Sequence, residues 1–370
     1  MSPTRPRVAT SARRTPADPA LGRRSGLRPY HGRVSSPTLR PTANVAPVAT
    51  STADPPLIGF GIVLGAAALF GTLGPLARFA YDAGMEPAGF VAWRALIGLA
   101  GTGAYVAWRV RRGSTRLIRL GDLRMRARTL LLLAAVMGFT LNLSMFIAFD
   151  RITVALALLG FYTYPAMVAV ANVVLGRERL DRTRALALGL AIAGMIAVVA
   201  SQLDPDGAIR LDAIGIGLAL GAAVSQTVFV VISRDGYSEV PTEQAMAIVL
   251  LVTVIGSVGI ALVTGALSSL AYPLTAPDVL PLLVFTGIFA AAIPSLGFLT
   301  GIRAIGGTRA GILMLFEPVV GVALAAWLLS EALVPVQLVG AAAILAAALL
   351  LQRSARGPDT DRPTIVPGGP

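Results

Sequence analysis

Two near-copies of one glycine-rich pattern stand roughly 150 residues apart in this chain. The first reads G-x-G-x-x-L-G-A-A from Gly59, and the second repeats that pattern from Gly215. Further along, Pro165 and Pro318 each stand thirteen residues before a glutamate. Each near-copy lies in a segment apolar enough to cross a bilayer several times. The sequence therefore predicts a duplicated, all-helical membrane unit.

Composition supports a membrane protein and excludes several kinds of site. Of the 370 residues, 55% are hydrophobic and only 14% are charged, which is too little polar surface for a soluble domain. The chain has no cysteine, and its one histidine, His31, lies in a polar N-terminal region. We therefore expect no metal site, no other cofactor and no histidine-based or cysteine-based catalysis.

The positive charge is arranged as membrane flanks. The net charge is +12, and every basic residue is an arginine. Nine arginines lie in residues 1–55 and eight lie between Arg109 and Arg128. Charge confined to a tail and to loops is typical of the cytoplasmic side of a membrane protein, so we do not expect nucleic-acid binding.

The polar termini frame two repeats. Residues 1–55 are rich in Arg, Pro, Ser and Thr and predict a disordered cytoplasmic tail, and residues 353–370 predict a second one. Between them, residues 57–201 form the first predicted repeat and residues 213–352 the second.

Ten apolar segments are long enough to span a bilayer. They cover residues 57–77, 88–108, 130–149, 152–175, 185–201, 213–233, 245–266, 279–301, 308–330 and 335–352. Arginine placement puts both termini in the cytoplasm and the chain in the inner cell membrane. Because each repeat has an odd number of spans, the second enters the membrane inverted relative to the first.

Several stretches resemble a known family. Residues 315–320 (LFEPVV) and 327–331 (WLLSE) are similar to the closing helix pair of an EamA domain, and residues 93–96 (WRAL) are similar to its arginine-bearing second helix. The resemblance implies a ten-helix transporter of the drug/metabolite superfamily with two EamA units. It also implies a small-molecule substrate, often an amino acid, that commonly moves outward.

Two charged residues fall at membrane depth, where a charge usually faces protein or a water-filled cavity. Arg94 is a candidate ligand for a substrate carboxylate, and the alternative is a structural tie between helices. Glu317, beside a proline, is a candidate ligand for an ammonium group or a proton carrier, and the alternative is a hydrogen-bonded structural carboxyl. Together they would suit a zwitterion.

Uncharged polar residues and prolines complete the predicted site. The candidate substrate-binding residues besides these two are Asn142, Tyr162, Tyr164, Gln226 and Ser295. The candidate hinges are Pro75, Pro165, Pro294 and Pro318, because proline removes a helical hydrogen bond.

Two local interpretations concern packing. The pairs Gly61/Gly65 and Gly217/Gly221 have the small-xxx-small spacing that lets helices approach closely. Asp150-Arg151, between the third and fourth spans, predicts a local ion pair at the surface, and the alternative is a gate.

We therefore predict a secondary transporter that exports amino acids or related solutes by alternating access. It lies in contact with the lipid bilayer, and proton coupling is a candidate source of energy. The alternatives are a multidrug exporter of the same superfamily, a membrane-embedded lipid enzyme, or a sensor. An enzyme is disfavoured because the intramembrane carboxylates are few and scattered.

Overall fold

The computed structural model describes residues 55–178, 181–201, 212–329 and 334–355. The predicted disordered tails lie almost entirely outside these ranges. The exceptions are Pro55, which begins the first helix, and residues 353–355, which are helical.

The described residues form helices joined by short connections, with no strand among them. The α-helices are α1 Pro55–Phe70, α2 Leu73–Asp82, α3 Pro87–Arg111, α4 Met125–Arg151, α5 Val154–Phe161, α6 Tyr164–Val174, α7 Arg182–Ala200, α8 Ala213–Ser233, α9 Thr242–Val263, α10 Leu267–Thr275, α11 Leu280–Gly287, α12 Ile293–Ile305, α13 Gly307–Met314, α14 Glu317–Leu329 and α15 Pro335–Ala355. A π-helical turn, Ile288–Ala292, joins α11 to α12.

Eight helical segments in the described part of the chain are long and apolar enough to cross a membrane. They correspond to the first eight predicted spans. The ninth prediction falls on α13 and α14, and the tenth falls on α15, whose apolar portion is the shorter Pro335–Leu351. An all-helical membrane fold is thus confirmed, whereas a total of ten spans stays a prediction. One helix was not predicted: α10 occupies most of the expected loop at 267–278.

Side-chain caps explain where several helices begin. The Thr153 hydroxyl accepts the Leu156 amide at the start of α5, at 3.3 Å. Asp181 caps α7, and Asp212 caps α8 through the Ile214 amide at 2.9 Å. Such caps satisfy amides that the first helical turn leaves without partners.

Four of the spans are interrupted, and each interruption is followed by a proline. After each interruption a new helix begins, and a proline follows its first residue within two positions. These first residues are Leu73 in α2, Tyr164 in α6, Ile293 in α12 and Glu317 in α14. Proline is tolerated in a first helical turn but cannot continue a preceding helix without losing a hydrogen bond. The four prolines are the predicted hinges Pro75, Pro165, Pro294 and Pro318.

Helix packing is the same when the two repeats are exchanged. Helix α3 lies along α9, and α7 lies along α15. Each of these pairs joins equivalent helices of the two repeats. Helix α1 lies along α12, and its counterpart α8 lies along α4. The repeats detected in the sequence are therefore also repeats of packing.

The opening glycine of each near-copy makes the close contact in α1 and α8. A Cβ on Gly59 would lie 2.7 Å from the Ile305 side chain, and one on Gly215 would lie 2.8 Å from the Ile152 side chain. Ile152 and Ile305 are themselves equivalent, because each stands thirteen residues before the proline of its repeat, Pro165 or Pro318.

The predicted small-xxx-small contacts are wrong. The four glycines assigned to them are exposed, and a Cβ on any of them would meet nothing within 4 Å: Gly61, Gly65, Gly217 and Gly221. In both α1 and α8 the two glycines lie on one side of the helix, and that side does not contact another helix.

Helices α7 and α15 approach each other closely at a pair of glycines. A Cβ on Gly194 would lie 2.5 Å from the Gly340 carbonyl oxygen, and the reverse distance is also 2.5 Å. Because only glycine lacks a Cβ, these two positions allow the backbones to touch.

Candidate functional site

A cavity of about 430 Å³ lies among the interrupted helices. The interruptions of the first and ninth spans meet beside it, since a Cβ on Gly71 would lie 2.6 Å from the Glu317 carbonyl oxygen. The walls include all seven predicted binding residues: Arg94, Asn142, Tyr162, Tyr164, Gln226, Ser295 and Glu317. The geometry brings them together, and their binding of a substrate stays a prediction.

Arg94 is buried and is held by neutral groups. Its guanidinium donates to the Asn142 side-chain oxygen and, at 3.2 Å, to the Ala290 carbonyl oxygen. The guanidinium carbon lies 4.8 Å from the centre of the Phe146 ring. Asn142 is oriented in turn by donating its amide to the Gly138 carbonyl at 2.8 Å. No carboxylate among the described residues pairs with this cation.

The Ala290 carbonyl is available because of the sequence around it. It lies in the π-helical turn, four residues before Pro294. In an α-helix the amide of residue 294 would donate to this carbonyl, and proline has no amide hydrogen. Arg94 takes that place, so a proline in the second repeat creates an acceptor for a cation from the first.

Another part of the cavity wall carries Glu317 with two buried tyrosines. The Tyr162 hydroxyl lies beside the Glu317 carboxylate, and the Tyr164 hydroxyl lies beside Gln226. Neither hydroxyl reaches direct hydrogen-bond geometry, and the Gln226 side-chain oxygen also lacks a partner. Buried polar atoms are normally satisfied, so these three are free to bind a solute or water.

The remaining lining is largely apolar. Six phenylalanines contribute to it: Phe70, Phe146, Phe149, Phe161, Phe229 and Phe298. Mostly apolar walls with a few converging polar groups are characteristic of small-molecule sites.

Two of the four prolines predicted as hinges line the cavity, and two do not. Pro75 and Pro318 line the cavity, whereas Pro165 and Pro294 do not. Pro294 acts through the Ala290 carbonyl instead. Movement at any of the four prolines stays a prediction.

The cavity reaches one membrane face. Its lining includes Arg78, which sequence reasoning assigned to a loop and whose side chain is 61% exposed. Helix α3 starts on that side and ends at the arginine-rich connection on the other. Arg78 was missed because its helix, α2, extends the first span beyond the predicted boundary.

On the other face, the two repeats contact each other through polar side chains. The Asn172 amide donates to the Thr308 hydroxyl at 3.2 Å, and both residues are buried. Beyond them, Arg234 pairs with Glu178 at 2.9 Å. This ion pair joins the end of the fourth span to the connection between α8 and α9.

A second ion pair joins the repeats on the Arg78 face. We expected Arg151 to pair with its neighbour Asp150. Instead, Arg151 pairs with Asp212 at the start of α8. The local prediction was wrong because Asp212 is brought close only when α8 packs along α4. The Ile214 amide, and then Arg151, hold the pKa of Asp212 below its usual range.

Comparison with known proteins identifies the fold and the family. One solved structure, described only as a crystal structure of a protein, superposes with a TM-score of 0.61 at 20% identity, over 82% of this chain and 98% of that chain. No curated protein matches the sequence. The pattern of the EamA-like transporter family matches residues 57–200 and 213–353, one copy for each repeat. The chain therefore belongs to the EamA-like transporter family, within the drug/metabolite transporter superfamily.

Proposed function

We propose that this membrane transporter exports amino acids or related zwitterions by alternating access. One observation carries the proposal: a buried cation, Arg94, and a carboxylate, Glu317, both line one largely apolar cavity. Neither has an ion-pair partner among the described residues. A solute with a carboxylate and an ammonium group would neutralise both. Buried charges are costly unless paired, so such a solute complements the site.

Alternating access would come from rocking of two inverted repeats about the cavity. The interrupted helices supply four hinge positions, and the repeats contact each other at Asn172–Thr308 on one side and at Arg151–Asp212 on the other. In this proposal the chain lies in the inner cell membrane with both termini in the cytoplasm. A proton gradient would drive the cycle through Glu317, which lies beside the Tyr162 hydroxyl.

The test is reconstitution in liposomes with and without a proton gradient. Amino acids are compared with their methyl esters, which keep the ammonium group and lose the carboxylate. Arg94 binding predicts that amino acids are transported and that esters compete poorly. Arg94→Gln should remove that difference, whereas Arg353→Gln, exposed at the end of α15, should keep it.

The second candidate is a multidrug exporter, which the phenylalanine-rich lining favours. It predicts transport of apolar cations that depends on Glu317 and not on Arg94. Cationic dyes in the same liposomes separate the two proposals, and dye transport without amino-acid transport would contradict the first.

Accessibility checks the cavity itself. The chain has no cysteine, so each introduced cysteine is unique. Tyr164→Cys and Ser295→Cys should react with a membrane-impermeant maleimide from the Arg78 face, and solute should protect them. Failure of reagents on both faces to reach either cysteine in folded protein would remove the cavity assignment.

A further inference from the structure

The connection between α3 and α4 concentrates positive charge at one membrane surface. We define this segment, residues 112–124, as the arginine loop. Residues 109–128 contain eight arginines and a single acidic residue, Asp122. Since α3 and α4 both qualify as membrane spans, their connection lies at the level of the lipid headgroups.

Apolar side chains alternate with the arginines of the arginine loop. Leu117 is 54% exposed and Leu120 is 39% exposed, and they directly follow Arg116 and Arg119, which are also exposed. Exposed leucines beside long cationic side chains suit the boundary between headgroups and acyl chains, where the apolar portion can be buried and the charge kept at the surface.

Hydrogen bonds to the start of α9 hold the arginine loop in place. The Ile118 amide donates to the Gln244 side-chain oxygen at 3.0 Å, and the Gln244 amide donates to the Ile118 carbonyl at 2.6 Å. Arg109, at the end of α3, pairs with Glu243 at 3.3 Å and donates to the Ser114 carbonyl at 3.0 Å. The loop is thereby fastened through its backbone.

The fastening leaves the loop cations unneutralised. Within the described residues, neither Arg116 nor Arg119 forms an ion pair, and Arg124 forms none either. A fixed surface with several unpaired guanidiniums and only one carboxylate in the loop, that of Asp122, is complementary to phosphate.

We propose that the arginine loop binds the headgroups of anionic phospholipids in the leaflet next to it. Guanidinium groups donate to the lipid phosphates, and Leu117 and Leu120 insert among the first acyl carbons. Each arginine near an anionic surface contributes about 1 kcal/mol, or about fivefold in local lipid enrichment. This lipid site is separate from the cavity and does not depend on the identity of the substrate.

The test measures which lipid surrounds the arginine loop. Ser114→Cys is labelled with a fluorescent donor, and the protein is placed in bilayers containing trace acceptor on either phosphatidylglycerol or phosphatidylcholine. Energy transfer should be stronger to phosphatidylglycerol at equal acceptor fractions. Arg116→Gln combined with Arg119→Gln should reduce that enrichment at least about fivefold, since two charges are lost.

Matched variants separate charge from folding. Arg116→Lys with Arg119→Lys keeps the charge and should retain most of the enrichment, and Arg353→Gln should leave it unchanged. If the glutamine variant does not assemble, the original protein in 1 M salt makes the same comparison, because screening falls to about 3 Å there. Equal transfer to both lipids, or enrichment insensitive to both salt and arginine removal, overturns the proposal.

Discussion

Arg94 donates to the carbonyl oxygen of Ala290 at 3.2 Å, and this contact links the second span of one repeat to the eighth span of the other. The acceptor is a backbone oxygen that Pro294 leaves without its α-helical donor. Proline in this span therefore has a static role in orienting a cation, in addition to any role as a hinge.

The first prediction tests that link. Pro294→Ala restores an amide that can compete for the Ala290 carbonyl, and Arg94→Gln removes the guanidinium. In a thermal-unfolding double-mutant cycle the two changes should be non-additive by about 1 kcal/mol, the size of one hydrogen bond. Pro165→Ala, at an interruption away from Arg94, is the matched control and should be additive with Arg94→Gln.

The second prediction concerns proton coupling. Glu317→Gln keeps the shape of the side chain and removes its ability to exchange a proton. In liposomes we expect solute exchange to continue while the response to an imposed proton gradient is lost. Glu178→Gln, a carboxylate outside the cavity, should keep the gradient response. A gradient response in Glu317→Gln equal to that of the unmodified protein would remove the proposed proton role.

A third prediction uses two kinds of helical glycine. Gly340→Ala places a methyl group 2.5 Å from the Gly194 carbonyl and should destabilise the protein by about 1–3 kcal/mol. Gly61→Ala meets nothing within 4 Å and should leave stability unchanged or raise it by up to about 1 kcal/mol. Loss of stability in Gly340→Ala but not in Gly61→Ala, measured by unfolding in detergent, checks the packing. Equal destabilisation by both substitutions would contradict it.

Fourth, the ion pair between Glu178 and Arg234 should help to close the face opposite Arg78. Breaking it with Arg234→Gln removes about 1 kcal/mol, which corresponds to about a fivefold change in an opening equilibrium. We therefore expect a Thr308→Cys reporter to be alkylated about five times faster from that face. Arg353→Gln is the control, and an unchanged rate in Arg234→Gln would show that the pair does not restrain opening.

The fifth prediction follows from the lowered pKa of Asp212. A carboxyl whose pKa is depressed on folding stabilises the protein above its unfolded pKa, and that stabilisation is lost as the pH falls through the folded value. Asn also caps helices, so Asp212→Asn retains the cap and removes the charge that faces Arg151. Its unfolding temperature should lie below that of the original protein at pH 7, and the difference should vanish in acid. A difference that persists in acid would assign the effect to the cap.

The sequence predicts the structure best where a covalent property of a residue decides it. Proline lacks an amide hydrogen wherever it occurs, so Pro165 and Pro318 marked helix interruptions without knowledge of the neighbours. Likewise, a charged residue in an apolar span usually faces protein or a water-filled cavity, and Glu317 lines the cavity.

The sequence does not predict contacts that depend on a partner from the other repeat. The spacing of Gly61 and Gly65 could not say which side of α1 faces α12. Asp212 reaches Arg151 only through the packing of α8 along α4, and the acceptor of Arg94 is a backbone oxygen, which carries no residue-specific signal. Orientation and long-range pairing are tertiary properties that a period or a motif does not encode.

Gly59 contacts Ile305 and Gly215 contacts Ile152, so the first helix of each repeat packs against the other repeat. In a fragment ending before residue 202, the surface of α1 around Gly59 would lack its packing partner and would face lipid. Two fragments made together in one cell should therefore reassemble and work, whereas either made alone should be degraded.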